Sequence, residues 1–210
     1  MHEKNISANG AARPDDSFAA HKFYGPKGVG LLFLRSGLSI APIMFGGAHE
    51  NERRPGTENV AAIAGMATAA EWTLRESKAE QEREAQLRDE LWTRITQIVP
   101  SAQQNGDGAV RLANTLNVSF PGIDSETMLM ALDLEGVCAS SGSACMVGSV
   151  VASHVLLAMG LSLERAASAI RFSLGKATTR EQIDGAAAAI ARIARRLKKT
   201  KASRDTYAVV

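Results

Sequence analysis

The chain has 210 residues, 45% of them hydrophobic and 22% charged, with a net charge of +2. That composition excludes a disordered chain, and two cysteines exclude a disulfide framework. Aromatics at 5% and dispersed Lys and Arg argue against a nucleic-acid surface; the one basic cluster, Arg192 to Lys201, reads as the polar face of a last helix and its tail.

Residues 1–16 are polar, carry no apolar signal-peptide core, and are expected to be poorly ordered on their own. After the glycines of "GPKG", the run "VGLLFL" (Val29 to Leu34) predicts a short buried strand. Phe45 to Asn59, "FGGAHENERRPGTEN", predicts a loop of about 15 residues, long enough to suggest a function. A helix follows from Val60. Its start, Ala61 to Ala70, is nearly all small and apolar, and Glu71 to Glu90 alternates charge signs on a solvated face. Leu87, Leu91, Ile95 and Ile98 then form one apolar stripe, and Pro100 ends the helix. This helix is the expected domain connector, over 76–100, between a first domain at 17–75 and a second at 101–200.

In the second half, Leu116 to Phe120 alternates as a half-buried strand. Ser125 to Leu134 predicts a helix capped by Asp124 or Ser125, with Gly136 just past its end. "VCAS" suggests another strand leading into "SSGSAC", Ser140 to Cys145. Helices are expected over Ser153 to Met159 and from Ser162, a strand over Ile170 to Gly175, and a last helix capped by Thr178 or Thr179. Ile183, Ala186, Ile190, Ile193 and Leu197 form its buried stripe, and 201–210 is a tail. The pattern is a small α+β domain with helices on one face of a short sheet. Met146 to Leu163 is uncharged but interrupted by Gly, Ser and His, unlike a membrane span. With so few cysteines, the cytoplasm is the expected compartment.

Five residues carry candidate chemistry. Lys22 sits among Phe18, Ala19, Ala20, Phe23 and Tyr24; if these desolvate it, the amine becomes a nucleophile, and otherwise it is a surface charge. His21 precedes it. Cys145 ends a run of small and hydroxyl residues, a setting for an exposed and mobile thiol rather than a packed one, whereas Cys138 in "GVCAS" reads as a core residue. Arg171, in a strand between Ile170 and Phe172, is either an ion-pair partner or a two-pronged clamp for a carboxylate. Thr57, beside Gly56, offers a hydroxyl and an N–H to a phosphate, or is an ordinary loop threonine. "SLGKAT" lacks the upstream glycine of a P-loop, and Cys138, Cys145 and His154 are too few for structural zinc.

Six blocks in order, "HKFYGPKGVG", "GGAHENERRPGTENVA", "NTLNVSFPG", "SSGSAC", "SHVLLAMGL" and "IRFSLGKATTREQID", resemble the cysteine desulfurases, pyridoxal-phosphate enzymes related to class V aminotransferases. The resemblance runs from about Ser17 to Leu197. It implies an α/β fold, part of the type I PLP-dependent transferase fold: a remnant of the large cofactor domain plus the small C-terminal α+β domain. It also implies roles. Lys22 would hold pyridoxal phosphate covalently and move protons at the substrate α-carbon, and His21 would help bind its phosphate. Thr57 would reach the phosphate held by a neighbouring subunit, so a homodimer is expected. Arg171 would hold the carboxylate of L-cysteine, and Cys145 would take the sulfur as a persulfide, releasing alanine. The serine-rich loop is similar to that of the group serving iron–sulfur assembly, so an iron–sulfur scaffold or other sulfur acceptor is an expected partner.

The resemblance has gaps. Only 21 residues precede Lys22, where the family has a half-length of chain supplying a ring-stacking histidine and an aspartate for the pyridine nitrogen. Ala19 stands at a usual hydroxyl position, and Ala48 and His49 replace a glycine and a glutamine. The alternative expectation is therefore a catalytically inactive remnant that dimerises or binds a partner.

Overall fold

The computed structural model describes residues 15–142 and 152–207. They form two compact units that divide between Lys78 and Ala79. The division falls inside α1 (Val60–Ile98), a single helix of 39 residues.

In the first unit, β1 (Asp15–Ala19) and β2 (Gly30–Leu34) pair antiparallel, with Phe18 opposite Leu31 and Asp16 opposite Phe33. β1 takes in Asp15 and Asp16, which sequence alone assigns to the polar N-terminal segment. β2 is the strand expected from "VGLLFL", but it is not buried: Leu31, Leu32 and Phe33 are each about half exposed, at 51%, 51% and 52%. Among the described residues the sheet has only these two strands, and β2 faces a cavity walled by Arg53, Arg54, Ile63 and Met66, which leaves its side chains partly open to water. Asn59, not singled out from the sequence, caps α1 by accepting from Ala62 N–H at 3.1 Å.

The second unit is built on a three-stranded antiparallel sheet, ordered β3 (Gln103–Gln104), β4 (Thr115–Ser119), β5 (Ala169–Ser173). Alternation puts Leu116 and Val118 of β4 and Ile170 and Phe172 of β5 on the core side. Against them pack Leu87, Leu91 and Ile95 of α1, Met128 and Leu132 of α2 (Ser125–Leu134), and Ile183, Ile190 and Ile193 of α5 (Arg180–Tyr207). Both predicted stripes are therefore buried along most of their length. α3 (His154–Ala158) and α4 (Leu163–Ala167) add a smaller cluster of Leu156, Ala166 and Ala169.

The ends of these helices follow local chemistry. Asp124 caps α2 by accepting from Thr127 N–H at 2.8 Å. Ser162 caps α4. At α5, Thr179 and Gln182 form a reciprocal capping box, with bonds of 3.3 and 3.0 Å. Thr178 instead accepts from Gly175 N–H, which decides between the two candidate caps. A buried polar network also holds the sheet. Arg165 donates to Asn105 Oδ1 at 2.8 Å, Asn105 donates to Ser119 Oγ at 2.8 Å, and Ser119 donates to the Arg165 carbonyl at 2.8 Å. Among the described residues, no helix is long and apolar enough to cross a membrane.

Candidate active site

Lys22 lies on a single 3-10 turn, Ala20–Phe23, between β1 and β2. Ala20 is fully buried, and its N–H donates to Val29 O at 3.1 Å while its carbonyl accepts from Gly25 N–H at 2.9 Å. The chain reverses through Tyr24, at φ 68°. Gly25 is required there, because a Cβ would stand 2.8 Å from that of Ala20. Two further contacts fasten the turn to α1 within the unit. Tyr24 meets Trp72 edge to face, with centroids 5.9 Å apart, and Thr73 Oγ1 lies 3.5 Å from the Phe23 carbonyl.

Ala20 anchors the turn inward, and His21 and Lys22 consequently face outward. Both are exposed. The predicted desolvation of Lys22 by Phe18, Phe23 and Tyr24 does not occur within this unit, since Phe18 and Tyr24 are themselves exposed. The Lys22 amine makes no hydrogen bond or ion pair among the described residues.

Thr57 is exposed in the predicted loop, just after Gly56, whose φ of 101° excludes a side chain. The loop is shaped by three consecutive left-handed residues, Glu50, Asn51 and Glu52, at φ 49°, 54° and 62°. His49 folds back over Gly47, where a Cβ would come within 2.9 Å of the imidazole, and its buried Nδ1 has no partner.

Arg171 belongs to the second unit. On β5 it pairs with Asn117 of β4, pointing to the side opposite Ile170 and Phe172. On its other edge the backbone pairs with Ser140, through Ser140 N–H to Arg171 O at 3.1 Å and Arg171 N–H to Ser140 O at 2.6 Å. "VCAS" thus supplies one isolated bridge rather than a strand. Ser140 Oγ also donates to Gly142 O at 2.9 Å, closing a small turn at the root of the "SSGSAC" loop. Cys145 itself lies outside the described residues. Cys138, expected in the core, is exposed with a free thiol, because the chain there forms no strand that would alternate it inward.

The Arg171 side chain is half-buried, and its Nε is fully enclosed with no hydrogen-bond partner among the described residues. A buried cationic donor left unpaired costs free energy that an anionic ligand recovers. Neither Ser140 as a tether nor His49 was legible from motif spacing. The one available signal for Ser140 was its place at the junction of an alternating run and a small-residue loop.

The described residues are mixed α/β, with an outward lysine on a tight turn in one unit and, in the other, an arginine whose Nε has no partner among the described residues. The aminotransferase class-V pattern matches residues 16–185, and the chain belongs to that family. Its relatives include a cysteine desulfurase IscS of Dictyoglomus turgidum, 44% identical over 87% of this chain and 46% of the relative. Among solved structures, a NifS-like protein superposes with a TM-score of 0.75 and 36% identity, covering 86% of this chain and 46% of that one. Another, described as SspA in complex with cysteine, gives a TM-score of 0.55 and 32% identity over 77% of this chain and 44% of that one. The chain thus spans about half the length of the relatives it matches.

Pyridoxal phosphate needs a primary amine for its aldehyde and donors for its phosphate. The unpaired, exposed Lys22 amine and the adjacent exposed His21 imidazole fit those two ends.

Proposed function

We propose that this chain is part of a cysteine desulfurase, taking sulfur from L-cysteine and leaving L-alanine. The observation that carries the reading is two cationic groups without a protein partner among the described residues, the exposed Lys22 amine and the enclosed Arg171 Nε, at the positions the desulfurase motifs select. Relatives bearing the desulfurase name and a related protein solved with cysteine support it.

Pyridoxal phosphate, when bound, supplies an electron sink that activates the substrate carbon skeleton. This chain's own residues do the rest. Lys22 holds the cofactor and carries the proton at the substrate α-carbon; His21 binds the phosphate, and Thr57 reaches that of a second copy, making the enzyme a homodimer. Arg171 orients L-cysteine through its carboxylate. The Cys145 thiolate attacks the substrate sulfur, an S–S bond forms, and the C–S bond breaks. The carbon keeps the electron pair and takes a proton, giving alanine, and Cys145 keeps the persulfide. An iron–sulfur scaffold or another acceptor of the cytoplasm then receives the sulfur, for cluster or thio-cofactor assembly.

The exposed β2 side chains favour a second reading, a partner-binding domain without chemistry of its own. Cofactor trapping separates the two. The full chain is incubated with pyridoxal phosphate, reduced with borohydride and mapped by peptide mass spectrometry. A stoichiometric adduct at Lys22 is expected. Adducts scattered over surface lysines, or none, would overturn the enzymatic reading of this chain.

A further inference from the structure

On α1, within the second unit, Glu84 is a carboxyl group with almost no contact with water, at 3% exposure. Glu80 lies one helical turn before it, on the same face. Glu80 is gripped on both oxygens by Arg83, with Nε to Oε2 at 3.1 Å and Nη2 to Oε1 at 2.9 Å. The same guanidinium reaches across to the turn between β5 and α5. It donates to the carbonyls of Gly175 at 3.0 Å, Lys176 at 3.1 Å and Thr178 at 2.7 Å. The turn is closed by its own bonds, Gly175 N–H to Thr178 Oγ1 and Thr178 N–H to Gly175 O, both 2.9 Å. Arg83 is therefore a latch between α1 and the approach to α5, and Glu80 holds it in orientation.

We propose that Glu80 and Glu84 share one proton and that this carboxyl pair sets the grip of Arg83 on the Gly175–Thr178 turn, making the turn a pH-responsive latch. With Glu84 neutral, its hydroxyl donates to the Glu80 carboxylate, and the Glu80–Arg83 pair is undisturbed. With Glu84 ionised, two carboxylates one helical turn apart repel. Glu80 is the more exposed of the two and moves toward water, carrying its hold on the guanidinium with it. The charged groups acting on Glu84 are Glu80 and Arg83, both on α1, and Lys176 of the turn acts on Glu80. Burial, and after it the Glu80 charge, push the Glu84 carboxyl up to about 6, while the hydrogen bond from Arg83 holds Glu80 below the ordinary range. The latch is thus tight below neutrality and loosens above it. It does not depend on the proposed desulfurase chemistry.

The test follows the amide resonances of Gly175 and Thr178 in the full chain from pH 5 to 8, with the Glu84 side-chain carbonyl carbon as the reporter of ionisation. In the wild type all three are expected to move with one midpoint near 6. Glu84→Gln is expected to leave the turn amides flat. Arg83→Met is expected to leave Glu84 titrating while the turn amides no longer follow. Turn amides that stay flat in the wild type, or that titrate unchanged in either variant, would overturn the proposal. If a variant fails to fold, a mismatch between the wild-type midpoints of Glu84 and the turn amides would do the same.

Discussion

Replacing Arg171 by methionine separates what this residue does for the fold from what it does for a ligand. Its two main-chain bonds to Ser140, and its place opposite Asn117 in the sheet, survive any side-chain change. Methionine keeps most of the aliphatic stem, so packing beside β5 is nearly conserved. What disappears is an enclosed Nε–H with no acceptor. A buried unsatisfied donor costs about 1–3 kcal/mol, and so Arg171→Met is expected to stabilise the ligand-free chain by about 1–2 kcal/mol. With an m-value of about 1–3 kcal/mol/M in urea, that moves the unfolding midpoint upward by roughly 0.5–1 M, readable by circular dichroism. Arg171→Lys provides the contrast, since it keeps a charge without the planar fork. In the cofactor-loaded protein, Arg171→Met is expected to weaken L-cysteine binding by about 100-fold, the loss of a charge-assisted pair worth roughly 3 kcal/mol. A midpoint that falls by 0.5 M or more would refute the reasoning, for it would make the guanidinium a structural group and remove the physical argument for a carboxylate clamp.

Glu84→Gln is expected to change the pH dependence of stability. A carboxyl raised from 4.5 to about 6 on folding stabilises the fold fully below the unfolded value and loses that contribution as pH rises through 6. The full span corresponds to about 2 kcal/mol, of which about 1 kcal/mol falls between pH 5 and pH 8, so urea titrations at those two pH values are expected to differ less in the variant by about 1 kcal/mol. Asp124→Ala removes the cap of α2 and is expected to cost about 1 kcal/mol at pH 7. The backbone N–H of Thr127 holds the Asp124 carboxyl below its usual range, so this contribution is present above the unfolded value and fades as pH falls through the folded one. Thermal melts across that acidic window check it. Cys145→Ser is expected to abolish persulfide labelling after L-cysteine treatment while leaving the far-UV spectrum unchanged; a persulfide that persists on the variant would move the nucleophile elsewhere.

Much of the second unit was legible residue by residue. The stripe Leu87, Leu91, Ile95 and the alternation Leu116, Val118 name their own buried faces, because helical and strand periods are local properties. The caps at Asp124 and Ser162 are equally local. β2 was legible as a strand but not as an exposed one. Whether Leu31 and Phe33 are covered depends on what lies against the sheet, and among the described residues it has only two strands. Cys138 was misread for a related reason. An apolar neighbourhood in sequence does not bury a thiol when the backbone leaves the sheet after a single bridge.

The amino-acid order by itself determined the family, since six motif blocks in series are specific in a way no single block is, and it determined the periodic elements of the α+β unit. Tertiary structure alone decided that Lys22 faces outward while Ala20 anchors its turn. It alone showed that Arg171 carries an unpaired buried nitrogen and is tethered through its backbone to Ser140, and that Glu84 is enclosed beside Glu80 and Arg83. The physical reason is the same in each case. Exposure, pairing and proton affinity belong to the surroundings of a side chain, and those surroundings come from residues distant in sequence: Val29 for Ala20, Ser140 for Arg171, and Gly175 to Thr178 for the guanidinium that holds Glu80.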